Sequence, residues 1–183
     1  MFIREMKPDE LRTIIKIYVD TFKATHEGVV SDAFLNGLSY ENALPRFERM
    51  LNHAERRPFC YVAEDQGNVI GYALAGLAGE LPPLYRAYQG ELKTMYILPA
   101  YHRMGIGRSL LRIVAEHFQR EQVPSFYVGT FQNNYSGRRF YEALGAQLIE
   151  ECLSEIRGEE VMLATYGWTS VQELLQLLAP SPS

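Results

Sequence analysis

The feature that most constrains the fold of this chain is a glycine-containing turn, Tyr101–Arg108, with the sequence Tyr-His-Arg-Met-Gly-Ile-Gly-Arg. It follows an apolar run, Leu92–Leu98, that is typical of a strand and is ended by Pro99. A helical pattern begins after the turn, near Ser109. A strand, a glycine turn and a helix in this order point free backbone N–H groups and the positive end of a helix dipole at one spot. The sequence therefore predicts an anion site, most often one for phosphate.

Apolar runs and turn residues predict the other elements of the chain. Strands are predicted over Phe2–Met6, Phe59–Glu64, Val69–Leu77, Glu91–Leu98, Ser125–Phe131, Ala146–Leu153 and Val161–Tyr166. Helices are predicted from Pro8 to about His26, and over Ser31–Leu35, Tyr40–Asn52, Ser109–Gln122, Asn134–Leu144 and Val171–Leu178. This order is typical of an α/β (α+β) domain.

Such an order indicates one sheet of six or seven strands, mostly antiparallel, with helices on both faces. The strands Leu92–Leu98 and Ser125–Phe131 flank a helix, so they should run parallel. A chain of 183 residues is long enough for one domain with its own core. We expect that domain to cover residues 1–168, and residues 169–183 to form a tail with a short helix and a frayed end.

Composition argues against several classes of partner. The formal net charge of −4 and the pI near 5.6 give no reason to expect nucleic acid. No window approaches the roughly 20 apolar residues that a membrane helix needs. The N-terminal residues are charged where a signal peptide is apolar, so a cytoplasmic protein is expected. Cys60 and Cys152 are too few for a disulfide framework and lack metal-spaced partners, so no metal site is predicted.

Two segments carry a resemblance to a known family. His102–Gly107 fits the acetyl-CoA signature [Gln/Arg]-x-x-Gly-x-[Gly/Ala], with His in the first position. Asn134–Tyr141 fits a second segment, Asn-x-x-Ala-x-x-Phe-Tyr, with Gly137 in place of Ala. Through both, the chain resembles the GCN5-related N-acetyltransferase (GNAT) superfamily. Tyr18–Gly28 and Leu38–Glu41 also resemble a subgroup of small bacterial acetyltransferases linked to polyamines and other small amines.

The resemblance implies how acetyl-CoA, the co-substrate, is bound. Its diphosphate lies against the backbone N–H groups of the glycine turn, and its pantetheine arm enters a gap between splayed fourth and fifth strands. The arginines of the turn add contacts to phosphate, or are simply the solvated start of a helix. The residues implied in this binding are Tyr96, Ile97, Leu98, Arg103, Met104, Gly105, Ile106, Gly107, Arg108, Ser109 and Asn134.

The resemblance also implies two catalytic residues. Tyr141 is the candidate general acid that protonates the departing thiolate, and its alternative role is a core tyrosine on an amphipathic helix. Glu91 is the candidate base for the amine, because it lies eleven residues before His102, the offset of the catalytic Glu in related histone acetyltransferases. Its alternatives are an exposed strand-end position and a water relay. His26 and His102 are weaker candidates.

The acceptor site is expected from the segments Thr21–Leu38, Gly79–Gly90 and Ser154–Glu160, with Tyr85 and Glu80 as further lining candidates. Acidic residues in these segments favour a cationic amine, although ordinary surface charge explains them equally: Glu27, Asp32, Glu155, Glu159 and Glu160.

The predicted function is direct acetyl transfer from acetyl-CoA to a primary amine of a small molecule, since no cysteine in either motif supports a covalent enzyme intermediate. Acetylation of protein amino groups and a CoA-binding regulatory module without catalysis are the alternatives. A Rossmann dinucleotide site lacks its third glycine here. A homodimer through Val161–Trp168 or Leu174–Leu178 is possible, and the tail can equally pack on its own domain.

Overall fold

Seven strands form one sheet in the computed structural model, which describes residues 1–79 and 82–179. The strands are β1 (Phe2–Glu5), β2 (Phe59–Asp65), β3 (Asn68–Leu77), β4 (Gly90–Ile97), β5 (Phe126–Phe131), β6 (Gln147–Ile156) and β7 (Glu159–Trp168). They lie in the order β1-β2-β3-β4-β5-β7-β6, and only the neighbours β4 and β5 run parallel. The predicted mixed sheet and its parallel pair are therefore confirmed.

The described helices are α1 (Leu11–His26), α2 (Asp32–Asn36), α3 (Tyr40–Asn52), α4 (Ile106–Arg120), α5 (Tyr135–Ala143) and α6 (Val171–Leu178). The helix predicted to begin near Ser109 begins at Ile106, because Gly105 has a φ of 79° and directly precedes the first turn. Glycine adopts that left-handed conformation without strain. Over residues 1–79 and 82–179, no helix combines the length and the apolar character needed to cross a bilayer.

Each face of the sheet has its own hydrophobic core. Helices α4, α5 and α6 cover one face, where Leu110, Phe118 and Phe126 are fully buried. Helices α1, α2 and α3 cover the other face, around Phe47 and Tyr72. Burying one such side chain stabilises the fold by about 1.5–3 kcal/mol. The helices on both faces confirm the predicted layering, and they hold the sheet from either side.

Strands β4 and β5 separate in the middle of the sheet. Their pairing covers residues 90–92 of β4 and 126–128 of β5 and stops there, although β4 continues to Ile97. On its other edge, β4 stays paired with β3 along its whole length. The free part of β4 therefore faces a gap, which is the splayed strand pair that the resemblance implied.

The C-terminal helix packs on its own domain. Val171, Leu174 and Leu178 are buried in the core that α6 shares with α4. The guanidinium of Arg108 in α4 donates to the carbonyl oxygen of Leu177. Strand β7, the other predicted contact surface, lies inside the sheet between β5 and β6. Both segments are thus engaged within the chain, and the predicted frayed end at 180–183 lies outside the described residues.

Candidate active site

The gap between β4 and β5 opens into a cleft of about 990 Å³. Its walls come from both strands, from α1 and α5, and from the turn between β4 and α4. The predicted site residues that line it are Glu91, Tyr96, Ile97, Arg103, Gly105, Ile106, Gly107, Arg108, Asn134 and Tyr141. Leu98, Met104 and Ser109 are not among its lining residues. The cleft therefore brings both sequence motifs to one place.

The turn before α4 offers a group of unused backbone donors. The first helical hydrogen bond runs from the N–H of Ser109 to the carbonyl of Gly105 at 3.0 Å. The N–H groups of Ile106, Gly107 and Arg108 precede it and have no acceptor within the helix. Left-handed conformations at residues 103 (φ 64°) and 105 (φ 79°) curve the backbone into a concave nest. Free donors at a helix N-terminus in this shape are suited to bind a diphosphate.

Side chains around the turn differ in where they point. His102 lies with its Nε2 2.8 Å from the carbonyl oxygen of Ile97. Arg103 lines the cleft, and the Arg108 guanidinium is held by α6, as described above. Met104 is 61% exposed, and the Ser109 hydroxyl donates back to its own helix. The turn therefore presents backbone to the cleft, and the implied binding roles of Met104 and Ser109 are limited to that backbone.

The second motif is folded directly onto the first. A Cβ added at Gly107 would lie 3.3 Å from the ring of Phe140, so glycine lets α5 pack close to the turn. A Cβ added at Gly137 would lie 2.7 Å from the Nδ2 of Asn134. This side chain accepts from the Gly137 N–H and donates to the hydroxyl of Thr130 at the end of β5. Asn134 therefore caps α5, and its side chain lies against Gly137, where the family pattern has alanine.

The free edge of β4 exposes an alternating set of backbone groups. The N–H of Leu98 donates to the carbonyl of Ile70 on the β3 side, at 2.9 Å. Because backbone groups alternate between the two edges of an antiparallel strand, those of Ile97 and Met95 point into the gap. The backbone groups of Tyr96 and Leu98 therefore face β3, and Met95 adds an edge position that the resemblance did not imply. Only Ile97 of the three implied residues has its N–H on the correct side.

Tyr141 lies on α5 at the inner end of the cleft. It is 9% exposed, and its ring packs edge-to-face against Trp168 with 6.0 Å between centroids. Burial raises the pKa of its phenol to about 12, so the hydroxyl is neutral at physiological pH. Tyr141 is therefore both a core residue and a lining residue of the cleft, and the two roles proposed from sequence are compatible.

Glu91 is already engaged by a cation. The Nζ of Lys93 lies 2.6 Å from its carboxylate. Lys93 is an extra residue in β4, because the register with β3 shifts between residues 92 and 94. Such a bulge re-aims side chains locally. Tyr127 stands opposite Glu91 on β5. Burial is the main cause that raises the pKa of this phenol, and the negative charge of Glu91 raises it further.

His26, a weaker candidate from sequence, has the geometry of a proton acceptor. It ends α1, is 3% exposed and lines the cleft. Its Nδ1 lies 2.8 Å from the carbonyl oxygen of Phe22, so Nδ1 carries the proton and Nε2 carries the lone pair. Burial lowers the pKa of the imidazole. The Phe22–His26 spacing placed both on the apolar face of α1, and that pattern alone could not separate packing from chemistry.

The far end of the cleft is aromatic and cationic. Its walls are formed by Phe22, Phe34 and Phe131, and the centroids of neighbouring rings lie about 6 Å apart. Arg157, from the turn between β6 and β7, lies over Phe34, and Arg46 of α3 lies over Tyr18, whose ring contacts Phe22. Both arginines line the cleft. The helical segment and the β6–β7 turn predicted for the acceptor therefore do contribute to the cleft.

The third predicted acceptor segment does not. No described residue of Gly79–Gly90 lines the cleft, and the lining part of β4 begins at Glu91. The Tyr85 hydroxyl donates to Glu150 instead, and Glu80 lies outside the described residues. The acidic residues of the three predicted segments do not line the cleft either: Glu27, Asp32, Glu155, Glu159 and Glu160.

Comparisons with known proteins agree with this geometry. The profile of the acetyltransferase (GNAT) family matches residues 13–146. The uncharacterised N-acetyltransferase YuaI of Bacillus subtilis (strain 168) is 28% identical over 176 residues, covering 96% of this chain and 97% of that protein. The PaiA N-acetyltransferase of Thermoplasma acidophilum, solved with coenzyme A, has a TM-score of 0.66 at 18% identity, covering 89% and 96% of the two chains. YncA from Salmonella typhimurium, solved with acetyl-CoA, has a TM-score of 0.65 at 21% identity, covering 100% and 98%.

The chain therefore belongs to the acetyltransferase (GNAT) family, whose enzymes use acetyl-CoA as co-substrate. The resemblance drawn from the two motifs is confirmed, and the single domain with its seven-stranded sheet matches the solved structures of the family.

Proposed function

We propose that this protein transfers the acetyl group of acetyl-CoA directly to a primary amine of a small molecule. The observation that carries the proposal is the continuity of one cleft, from the free N–H groups before α4, along the unpaired edge of β4, to an aromatic end lined by α1 and α2. A diphosphate bound at the N–H groups before α4, with the pantetheine arm along the edge of β4, would bring the thioester to the aromatic end.

Acetyl-CoA fits the first two parts of the cleft by its chemistry. The nest at residues 103–108 supplies donors for the diphosphate. The edge groups of Met95 and Ile97 would pair with the amides of the arm, as a neighbouring strand does. An N–H on this edge is also available to the carbonyl oxygen of the thioester, where negative charge develops during attack.

The reaction needs one proton removed and one proton supplied. The amine nitrogen forms a bond to the carbonyl carbon and loses a proton to a base, and the bond from carbon to sulfur then breaks. Tyr141 gives its hydroxyl proton to the departing thiolate, since its phenol is neutral and lines the cleft. The phenolate regains a proton from solvent after the products leave.

Two residues compete for the role of base. Glu91 stands where related acetyltransferases have their catalytic carboxylate, but its oxygen is bound by Lys93. The Nε2 of His26 carries a lone pair, and its ring is held between Phe22 (centroids 4.2 Å apart) and Phe131 (4.9 Å). Because its ring is held in a fixed orientation, His26 is the second candidate for the base, beside Glu91. Separate substitutions of the two decide between them.

A small acceptor is favoured by the cover over the aromatic end. The hydroxyl of Ser31, at the start of α2, donates to the carboxylate of Glu159 at 2.7 Å. The guanidinium of Arg157, in the same β6–β7 turn, lies 5.4 Å from the centroid of Phe34. These contacts tie the turn to α2 over the cleft, which leaves less room for a protein chain than for a small molecule.

The proposal is tested by thiol release from acetyl-CoA across a panel of small amines and unstructured peptides. Turnover with small amines and not with peptides supports it, whereas turnover with peptides alone supports the protein-acetylation alternative. Tight acetyl-CoA binding with no turnover on any acceptor supports a CoA-binding module. The predicted cytoplasmic location and homodimer stay predictions, which fractionation and light scattering of the purified protein test.

A further inference from the structure

We infer that the acceptor amine carries an anionic group, a carboxylate or a phosphonate, bound by Arg46 and Arg157, on an apolar body held by the phenylalanine walls of the cleft. This inference rests on the proposed transfer to a small amine and specifies its substrate class. It also reverses the sequence-based preference for a cationic amine.

The charges that line the cleft are predominantly positive. Among the described lining residues, the single carboxylate of Glu91 stands beside six basic side chains: Arg46, Lys93, Arg103, Arg108, Arg139 and Arg157. The Glu91 carboxylate is itself paired with Lys93 at 2.6 Å. No carboxylate of the described lining is therefore left to attract a second ammonium group, as a polyamine acceptor requires.

The arginines fall into two groups by their position in the fold. Arg103, Arg108 and Arg139 belong to the turn before α4, to α4 itself and to α5, beside the donors suited to a diphosphate. Arg46 lies on α3, and Arg157 lies over Phe34 of α2, so both belong to the face covered by α1, α2 and α3. The second pair is thus associated with the acceptor end.

Arg46 has a contact that orients it without neutralising it. Its guanidinium donates to the Tyr18 hydroxyl at 3.1 Å and lies 5.9 Å from the centroid of that ring. The Tyr18 ring in turn packs edge-to-face on Tyr96 of β4, with 5.5 Å between centroids. A neutral phenol uses one of the five guanidinium donors, so the charge and most donors stay available to an anion.

Arg157 is positioned by the geometry of its turn. Left-handed conformations at Arg157 (φ 56°) and Gly158 (φ 78°) form the tight connection between β6 and β7. The neighbouring Glu159 is directed to the Ser31 hydroxyl, and its side chain does not line the cleft. The guanidinium of Arg157 lies 5.4 Å from the centroid of Phe34, and a cation–π contact of this kind uses none of its N–H donors for a carboxylate or phosphonate.

The two arginines and the aromatic walls together define a chemical class. A guanidinium binds carboxylate and phosphonate oxygens through paired charge-assisted hydrogen bonds, whereas it repels an ammonium group. The rings of Phe22, Phe34 and Phe131 offer apolar area with no polar group to satisfy. An amine with an anionic group and an apolar body, such as an apolar α-amino acid or its phosphonate analogue, satisfies both features.

The test uses matched acceptors with the intact protein and acetyl-CoA. Phenylalanine, methionine and leucine are each compared with their phosphonate analogues and with their decarboxylated amines, and spermidine is included as a cationic acceptor. We expect kcat/KM for an anionic amine to exceed that of its decarboxylated partner by at least about tenfold, the effect of one charged hydrogen bond. The two anionic series show whether carboxylate or phosphonate is the better ligand.

Variants then assign the effect to the two arginines. Arg46→Gln and Arg157→Gln should each raise KM for the anionic amine by about tenfold, and should leave kcat/KM for the decarboxylated amine and the Kd of acetyl-CoA unchanged. Arg49→Gln, on an exposed part of α3 that does not line the cleft, is the control and should change nothing.

The outcomes separate this inference from the proposed function. Equal or better turnover of spermidine or of the decarboxylated amines overturns the inference and leaves small-amine acetylation standing. An unchanged preference in both arginine variants also overturns it. Failure of every amine to release thiol, with acetyl-CoA bound, removes the proposed function and this inference with it.

Discussion

The imidazole of His102 and the backbone of Ile97 are joined by a hydrogen bond, with Nε2 2.8 Å from the carbonyl oxygen. Since a carbonyl oxygen only accepts, Nε2 carries the proton. The bond ties the turn before α4 to the last residue of β4, whose backbone points into the gap. A side chain that departs from the family signature thus connects the proposed diphosphate site to the strand edge beside it.

Removing this connection should weaken co-substrate binding. His102→Ala is expected to raise the Kd of acetyl-CoA about two- to fivefold, because one partly exposed hydrogen bond contributes about 0.5–1 kcal/mol. His102→Gln keeps an N–H donor and should retain most of the affinity. Isothermal titration calorimetry measures both. His53→Ala, at an exposed position outside the cleft, is the control. Equal affinity of all three variants would contradict a role for the bond.

The left-handed glycine of the turn provides a second test. Gly105→Ala should lower the free energy of unfolding by about 1 kcal/mol, because alanine is strained in the left-handed conformation of this position. It should also weaken acetyl-CoA binding, because the backbone can relieve this strain only by changing the shape of the nest. Gly67 has nearly the same φ, 80° against 79°, equally open surroundings and no contact with the cleft. Gly67→Ala should therefore cost similar stability and leave binding unchanged. Equal loss of affinity in both variants would show that the effect is general destabilisation.

Tyr141→Phe tests the proposed acid. We expect kcat to fall about a hundredfold while the Kd of acetyl-CoA stays within twofold, since only proton donation to the thiolate is lost. Because burial raises the pKa of this phenol to about 12, the native enzyme should lose no activity to its ionisation below about pH 10. Tyr135→Phe, at an exposed position on the same helix, is the matched control. Steady-state thiol release measures both variants, and an unchanged kcat would exclude Tyr141 as the acid.

The pH dependence of turnover separates the two candidate bases. Burial lowers the pKa of His26 from its usual 6.5, so the imidazole is neutral at pH 7 and becomes protonated only at lower pH. If it is the base, kcat/KM should fall at a pH below the usual histidine pKa of 6.5, because burial lowers the pKa of this imidazole. His26→Gln should lower the rate about a hundredfold and remove that acidic limb.

The same pH profile is measured for Glu91→Gln, which tests the other candidate base, and for His117→Gln, which is the control. The pKa of His117 is also lowered by burial, but its ring stacks on Phe59, outside the cleft. His117→Gln should keep the native profile. A rate that is unchanged in His26→Gln and falls about a hundredfold in Glu91→Gln would assign the base to Glu91 instead.

Features set by local rules were predictable from sequence. The glycine turn before α4 and the parallel pairing of β4 with β5 follow from residue types and from the order of the elements. Which β4 residues face the gap depends on the register of β4 with β3, which residue types alone do not fix.

Features set by long-range contacts were not predictable. The bulge at Lys93 depends on how β4 pairs with β3, and no sequence pattern marks it. The Arg108 side chain is drawn to Leu177, far along the chain. The charge of the acceptor end depends on Arg46 and Arg157, which only the packing of α1, α2 and α3 against the β6–β7 turn brings to one cleft. The local acidic residues that favoured a cationic amine could not reveal these two arginines.

The most direct test of the central claim is a crystal structure of the protein with acetyl-CoA. The account predicts that the diphosphate accepts hydrogen bonds from the backbone N–H groups of residues 103–108, and that the pantetheine arm lies between β4 and β5 with its amides on the edge of Met95 and Ile97. A diphosphate bound away from this turn, with the gap between the two strands empty, would contradict it.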